Sequence, residues 1–197
     1  MRTFLLLSWL ALPVAGVAYH YGPGQDRLVL DDVARLVASA ESAVADEDWA
    51  EAVKNYGAAI GKLPSDHAGT ARHLRLERCK AQMNANELPT AARDLQSLVE
   101  EFDRDPTTSK ELREEGRRAL ANSQFYMTWL LRLEGKTRAE WEPQIEAARQ
   151  NYRLLAEAAS STGDDTAQDD TREDLEAAIR LERLELEDLQ GLPLPSQ

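Results

Sequence analysis

The stretch from Trp49 to Pro64 constrains this chain more than any other. Within it a bulky residue, Trp49, is followed by Ala52, Tyr56 and Ala59, and then by Pro64. Residues three and four apart are neighbours on a helix, so these four share a face. Two alanines on that face let a second helix come close, while Trp49 and Tyr56 fill the space on either side. Pro64 stops the helix, because proline lacks the amide proton and its ring clashes with the preceding turn. Upstream, Val33, Leu36, Val37, Ala40 and Val44 recur at three- and four-residue steps, the pattern of an amphipathic helix. Asp48 with Glu51 is a variant of the capping box and opens the second helix. The chain therefore contains a helical hairpin whose unit runs over the 34 residues from Val33 to Asp66.

The unit recurs. Leu88, Ala91, Leu95 and Leu98 repeat the spacing of Trp49, Ala52, Tyr56 and Ala59 at an offset of 39 residues. Cys79 precedes Ala91 by twelve residues, as Ala40 precedes Ala52, and a thiol there serves as a small hydrophobe. A third, degenerate copy is marked by Ala148, Tyr152 and Leu155. It follows a long helix that Thr108 and Glu111 cap and that ends near Leu133. Pro143 sets the start of the next helix near Trp141–Glu142, since proline is tolerated in a first turn. Units that cannot bury their apolar faces singly must stack.

The spacing of bulky and small residues, with proline closing a unit of this length, resembles the tetratricopeptide repeat. The resemblance covers Val33–Ser160. It departs from the family pattern at Leu36, where Trp is usual, and at Ala43, where Tyr is common. It implies an all-α fold of stacked antiparallel helical hairpins, an α-solenoid with a C-terminal capping helix. It also implies that a protein or peptide partner lies along an inner groove lined by the first helix of each unit. On this chain those positions are Lys80 and Asn84 from the second unit, with Arg118, Asn122 and Tyr126 from the third. The Lys and Asn pattern by which some members grip a C-terminal carboxylate is not reproduced in full.

The domain reading follows. Residues 1–18 are an export segment, 19–30 a spacer, 31–160 the repeat domain, 161–170 an acidic linker, 171–190 a capping helix and 191–197 a tail. At 197 residues one domain is the default. Thr171 with Asp174 caps the final helix, on which Leu175, Ala178, Ile179, Leu186 and Leu189 share a face up to Gly191. This helix is expected to pack on the last hairpin; Leu181 and Leu184 fall off that face, and the alternative is self-association or a partner contact through them. Few Gly and Pro, no period-two alternation and abundant Ala, Leu, Glu and Arg all argue against strands.

Met1-Arg2 leads an uncharged apolar run from Thr3 to Tyr19 that Pro13 and Gly16 break. Small residues before Tyr19 suit cleavage after Ala18, as in a secretory signal peptide. Retention as an anchor is the alternative, and it is the only membrane contact expected. Either way the repeats lie outside the cytoplasm. Cys79 is the single cysteine, so no internal disulfide forms. Its place at a helix crossing makes it buried and inert.

The formal charge is −12, and residues 160–197 carry eleven acids against three arginines. That excludes nucleic acid as a partner through bulk electrostatics. The acidic stretch 160–170 lacks the ligand order and central Gly of an EF-hand loop, so it reads as a solvated linker. His67 and His73 are six apart and share no metal-binding spacing, and no phosphate loop or nucleophile elbow is present. No catalytic residue, cofactor or metal is assigned. The function expected is a non-enzymatic exported scaffold or adaptor of the bacterial cell envelope. The alternative is a structural subunit that self-associates through its edge helices.

Overall fold

The computed structural model describes residues 23–162 and 165–189. Seven α-helices account for nearly all of them: α1 (Pro23–Ala45), α2 (Trp49–Lys62), α3 (Ala68–Asn84), α4 (Leu88–Arg104), α5 (Lys110–Leu133), α6 (Arg138–Thr162) and α7 (Asp165–Arg183). A single 3-10 turn, Leu186–Leu189, follows. The protein is an all-α fold of helical hairpins, with no strand among the described residues. Where length suggests one domain, contacts divide the chain into two compact units, Met1–Leu74 and Arg75–Gln197, with the boundary inside α3.

In the first unit α1 and α2 pack as an antiparallel pair. The buried face of α2 is Ala52, Tyr56 and Ala59, and the buried residues of α1 are Val33, Ala40 and Ala43. Asp48 caps α2 by accepting the Glu51 amide at 3.2 Å, and the helix ends at Lys62, before Pro64. In the second unit two cores share α5. One joins Leu76 and Cys79 of α3 to Leu95, Leu98 and Phe102 of α4 and Leu120 of α5. The other joins Phe125 of α5 to Ile145, Ala148, Tyr152 and Leu155 of α6 and to Ala178 and Leu181 of α7. Because α5 is packed by α4 and by α6, it is buried continuously from Ala119 to Phe125. Ser123 and Thr128, polar in this setting, donate to the carbonyls of Leu120 and Gln124, which removes the cost of burying them.

The same turn closes α1, α3 and α5. The amides of Asp48, Glu87 and Lys136 bond the carbonyls of Ala43, Gln82 and Leu131, each spanning five residues. The residue before each of these amides, Glu47, Asn86 or Gly135, is left-handed, with φ of 57°, 61° and 70°. This is the Schellman C-cap. Gly and Asn adopt that backbone readily, whereas Glu47 does so at a cost of about 1 kcal/mol. Glu47 and Asn86 are 39 residues apart, the offset at which the side-chain pattern repeats.

Several boundaries differ from those read in the sequence. The spacer over 19–30 is overtaken from Pro23 onward by α1. The acidic linker over 161–170 is helical up to Thr162 and again from Asp165, where carboxylates suit the positive end of a helix. Thr171 is therefore six residues inside α7 and fully buried, and it caps nothing. That helix ends at Arg183 rather than near Gly191. Leu181 is 0 % exposed and Leu184 packs against the same core, so neither offers a surface for self-association. Buried Thr171, Asp174, Ala178 and Leu181 define the inner face, rotated from the apolar stripe because its first half is polar. Ser109, not Thr108, caps α5. α6 starts at Arg138, where the Glu140 carboxylate accepts from both the amide and the hydroxyl of Thr137, and Pro143 sits one turn further in. The export segment 1–18 and the tail 191–197 lie outside the described residues.

Candidate functional site

The five groove positions, Lys80, Asn84, Arg118, Asn122 and Tyr126, line one cavity of about 690 Å³ in the second unit. Helical spacing explains this. On α5 Glu115, Arg118, Ala119, Asn122, Tyr126, Trp129 and Leu130 recur every three or four residues, and on α3 Lys80, Met83 and Asn84 do the same. Asn86 and Leu88 close the end, carried there by the left-handed turn between α3 and α4. Met83, Leu88, Trp129 and Leu130 escaped the sequence reading as lining residues. Met83 and Trp129 share the faces of Lys80 and Tyr126, so periodicity alone could have found them.

The polar side chains are held by partners. The Lys80 ammonium donates to Glu77 at 2.9 Å and also to Glu115, across from α3 to α5. Burial works against this ammonium, but the two carboxylates outweigh burial and raise its pKa above the ordinary value. Arg118 is half-buried. Its guanidinium lies 3.6 Å from the Asp174 carboxylate and 3.5 Å from the Thr171 hydroxyl, both on α7. The side chain is thus committed to a carboxylate only 3 % exposed. Removing the guanidinium would strand a buried charge and destabilise the fold, so Arg118→Ala is not a clean probe of the cavity.

Asn122 is 5 % exposed and accepts the Tyr152 hydroxyl at 2.7 Å. Burial, reinforced by the Asp174 charge, raises the Tyr152 phenol far above its ordinary pKa, so it stays a donor. Tyr126 is half-buried, with its ring edge-on to Phe125 at 5.8 Å between centroids. Asn84 is exposed and donates to the Lys80 carbonyl at 3.3 Å.

Other chemistry-bearing residues stand apart from this cavity. Cys79 is buried in the α3–α4–α5 core, and desolvation, with the Asp94 charge adding, pushes its thiol up to about 11. Such a thiol is a poor nucleophile at neutral pH. His73 is exposed, and His67 lies 4.0 Å from Asp66. Among the described residues no three His, Cys, Asp or Glu side chains group as a metal site would need. Nor is any helix among them long and apolar enough to cross a membrane.

No family model, curated protein or solved structure matches this chain. The resemblance to tetratricopeptide repeats rests on side-chain spacing alone.

Proposed function

We propose that this protein is a non-enzymatic, exported scaffold of the cell envelope that captures an extended peptide segment of a protein partner in the cavity between α3 and α5. The observation that carries this reading is the convergence of the five groove residues on one cavity with an apolar floor. Its volume falls within the ~300–1,000 Å³ of ligand pockets, and apolar walls with a few fixed polar groups are their usual composition. Tyr126 and Trp129 supply the aromatic area that dominates peptide interfaces. The lining cations are matched within the fold, Lys80 by Glu77 and Glu115 and Arg118 by Asp174. The cavity therefore suits a segment that presents a bulky apolar side chain to Met83, Leu88, Tyr126 and Trp129 and its backbone to the amides of Asn84 and Asn122. Export rests on residues 1–18, and mass spectrometry of the native protein should find a chain beginning at Tyr19. An intact Met1 in a membrane fraction would establish the anchored form instead.

The test uses an octapeptide selected from a random phage library on the full chain, then labelled and titrated by fluorescence anisotropy. Tyr126→Ala should weaken it about 30-fold, from the ~2 kcal/mol typical of an aromatic anchor. Asn84→Arg, which fills the mouth from an exposed position, should abolish binding without altering melting. If either variant binds as the parent does, the peptide sits elsewhere and the reading falls.

A further inference from the structure

The cavity is backed by a buried polar cluster that packing alone does not require. Tyr152 on α6 and Thr171 with Asp174 on α7 lie outside the lining, yet each reaches a residue within it. Tyr152 donates to the Asn122 carbonyl oxygen at 2.7 Å, which fixes the rotation of that carboxamide. Asp174 and Thr171 take the two terminal nitrogens of Arg118 at 3.6 and 3.5 Å, and a guanidinium held along one edge is set in one plane. Thr171 and Tyr152 are fully buried and Asp174 nearly so. Apolar residues at these positions would pack without desolvating a charge, and such replacements of buried ion pairs are often neutral or stabilising. Departures of this kind from the packing optimum concentrate where a site must be held in one geometry.

We infer that Tyr152, Thr171 and Asp174 are positioning residues for the cavity, holding Asn122 and Arg118 in the orientation in which a bound peptide meets them. The inference rests on the peptide-binding reading above. It makes α7 part of the recognition device as well as the cover of the second core.

The experiment compares Tyr152→Phe, Asp174→Asn, Leu181→Ala and Tyr126→Ala in the full chain, with the same octapeptide as probe. Nuclear magnetic resonance of the free, nitrogen-labelled protein follows the Asn122 side-chain amide. Tyr152→Phe should shift that amide signal while the backbone spectrum stays native, and should weaken the peptide about tenfold. Asp174→Asn should weaken it by a similar factor. Leu181→Ala, which cuts the apolar packing of α7, should lower melting and leave affinity unchanged below the transition. Tyr152→Phe removes one hydroxyl from a retained ring, so the comparison survives if Asp174→Asn does not fold. Parent-like affinity in Tyr152→Phe and Asp174→Asn, with Tyr126→Ala still defective, overturns the positioning role and leaves the cavity reading standing. Equal losses in Leu181→Ala and Asp174→Asn overturn it too, since α7 would then act only as structure. Parent-like affinity in Tyr126→Ala overturns both.

Discussion

Replacing Gly116 with Ala puts two opposed effects at one position. Gly116 lies in α5, and alanine in a helix interior is favoured over glycine by about 1 kcal/mol. A Cβ added there, however, would sit 2.9 and 3.0 Å from two ring carbons of Phe102 and 3.6 Å from a Val99 methyl. Carbon pairs rest at ~3.5–4.0 Å, so the ring must give by more than half an ångström. Phe102 is 0 % exposed and packed on all sides by the first core of the second unit, so it has little room to do so. Overpacking of this kind costs ~1–3 kcal/mol. The net expectation is a loss of about 1 kcal/mol in urea unfolding followed by far-ultraviolet circular dichroism. Gly61 and Gly69 are the internal controls: both are helical with no atom within 4 Å of an added Cβ, so alanine there should gain a few tenths to 1 kcal/mol. In a Phe102→Leu background the obstacle is gone, and Gly116→Ala should become stabilising. If Gly116→Ala stabilises the parent protein as much as Gly61→Ala does, the packing argument is wrong.

Two further outcomes follow from buried groups. Arg132 is 8 % exposed, donates to the carbonyls of Leu181 and Leu184 at the C-terminal end of α7, and stacks 4.9 Å from the Trp141 ring centre. Arg132→Met should cost ~2–4 kcal/mol in the same unfolding assay, because both carbonyls lose a charged donor inside the protein, and an unchanged midpoint would refute this role. The Cys79 thiol, moved from an ordinary value of 9.0 to about 11, keeps its proton in the folded state where an unfolded chain gives it up. Stability from this group is thus full below pH 9 and falls as pH rises toward 11; Cys79→Ala should remove that part of the slope. A disulfide reagent at pH 8 should label the native protein far more slowly than the denatured one, and equal rates would contradict burial of the thiol.

What the sequence determined by itself is local. Periodicity identified α2 and α4 by their buried alanines and leucines, and Tyr56 and Tyr152 as core rings, because a helix face is written in the spacing of neighbours along the chain. It also brought Lys80 and Asn84 to one face of α3, and Arg118, Asn122 and Tyr126 to one face of α5, for the same reason. The Asp48 cap and the end of α2 before Pro64 were legible since each depends on a few adjacent residues. Tertiary structure decided which buried polar groups pair. Arg118 meets Thr171 from 53 positions away, and no spacing rule links them. It likewise turned Thr171 from a cap into a buried member of α7, and Leu181 from a free surface into the second core, because the inner face of α7 is set by what α5 and α6 present to it. Glu47 shows the limit from the other side: a residue with no preference for left-handed backbone adopts it because the packing of α1 on α2 outweighs a cost of about 1 kcal/mol.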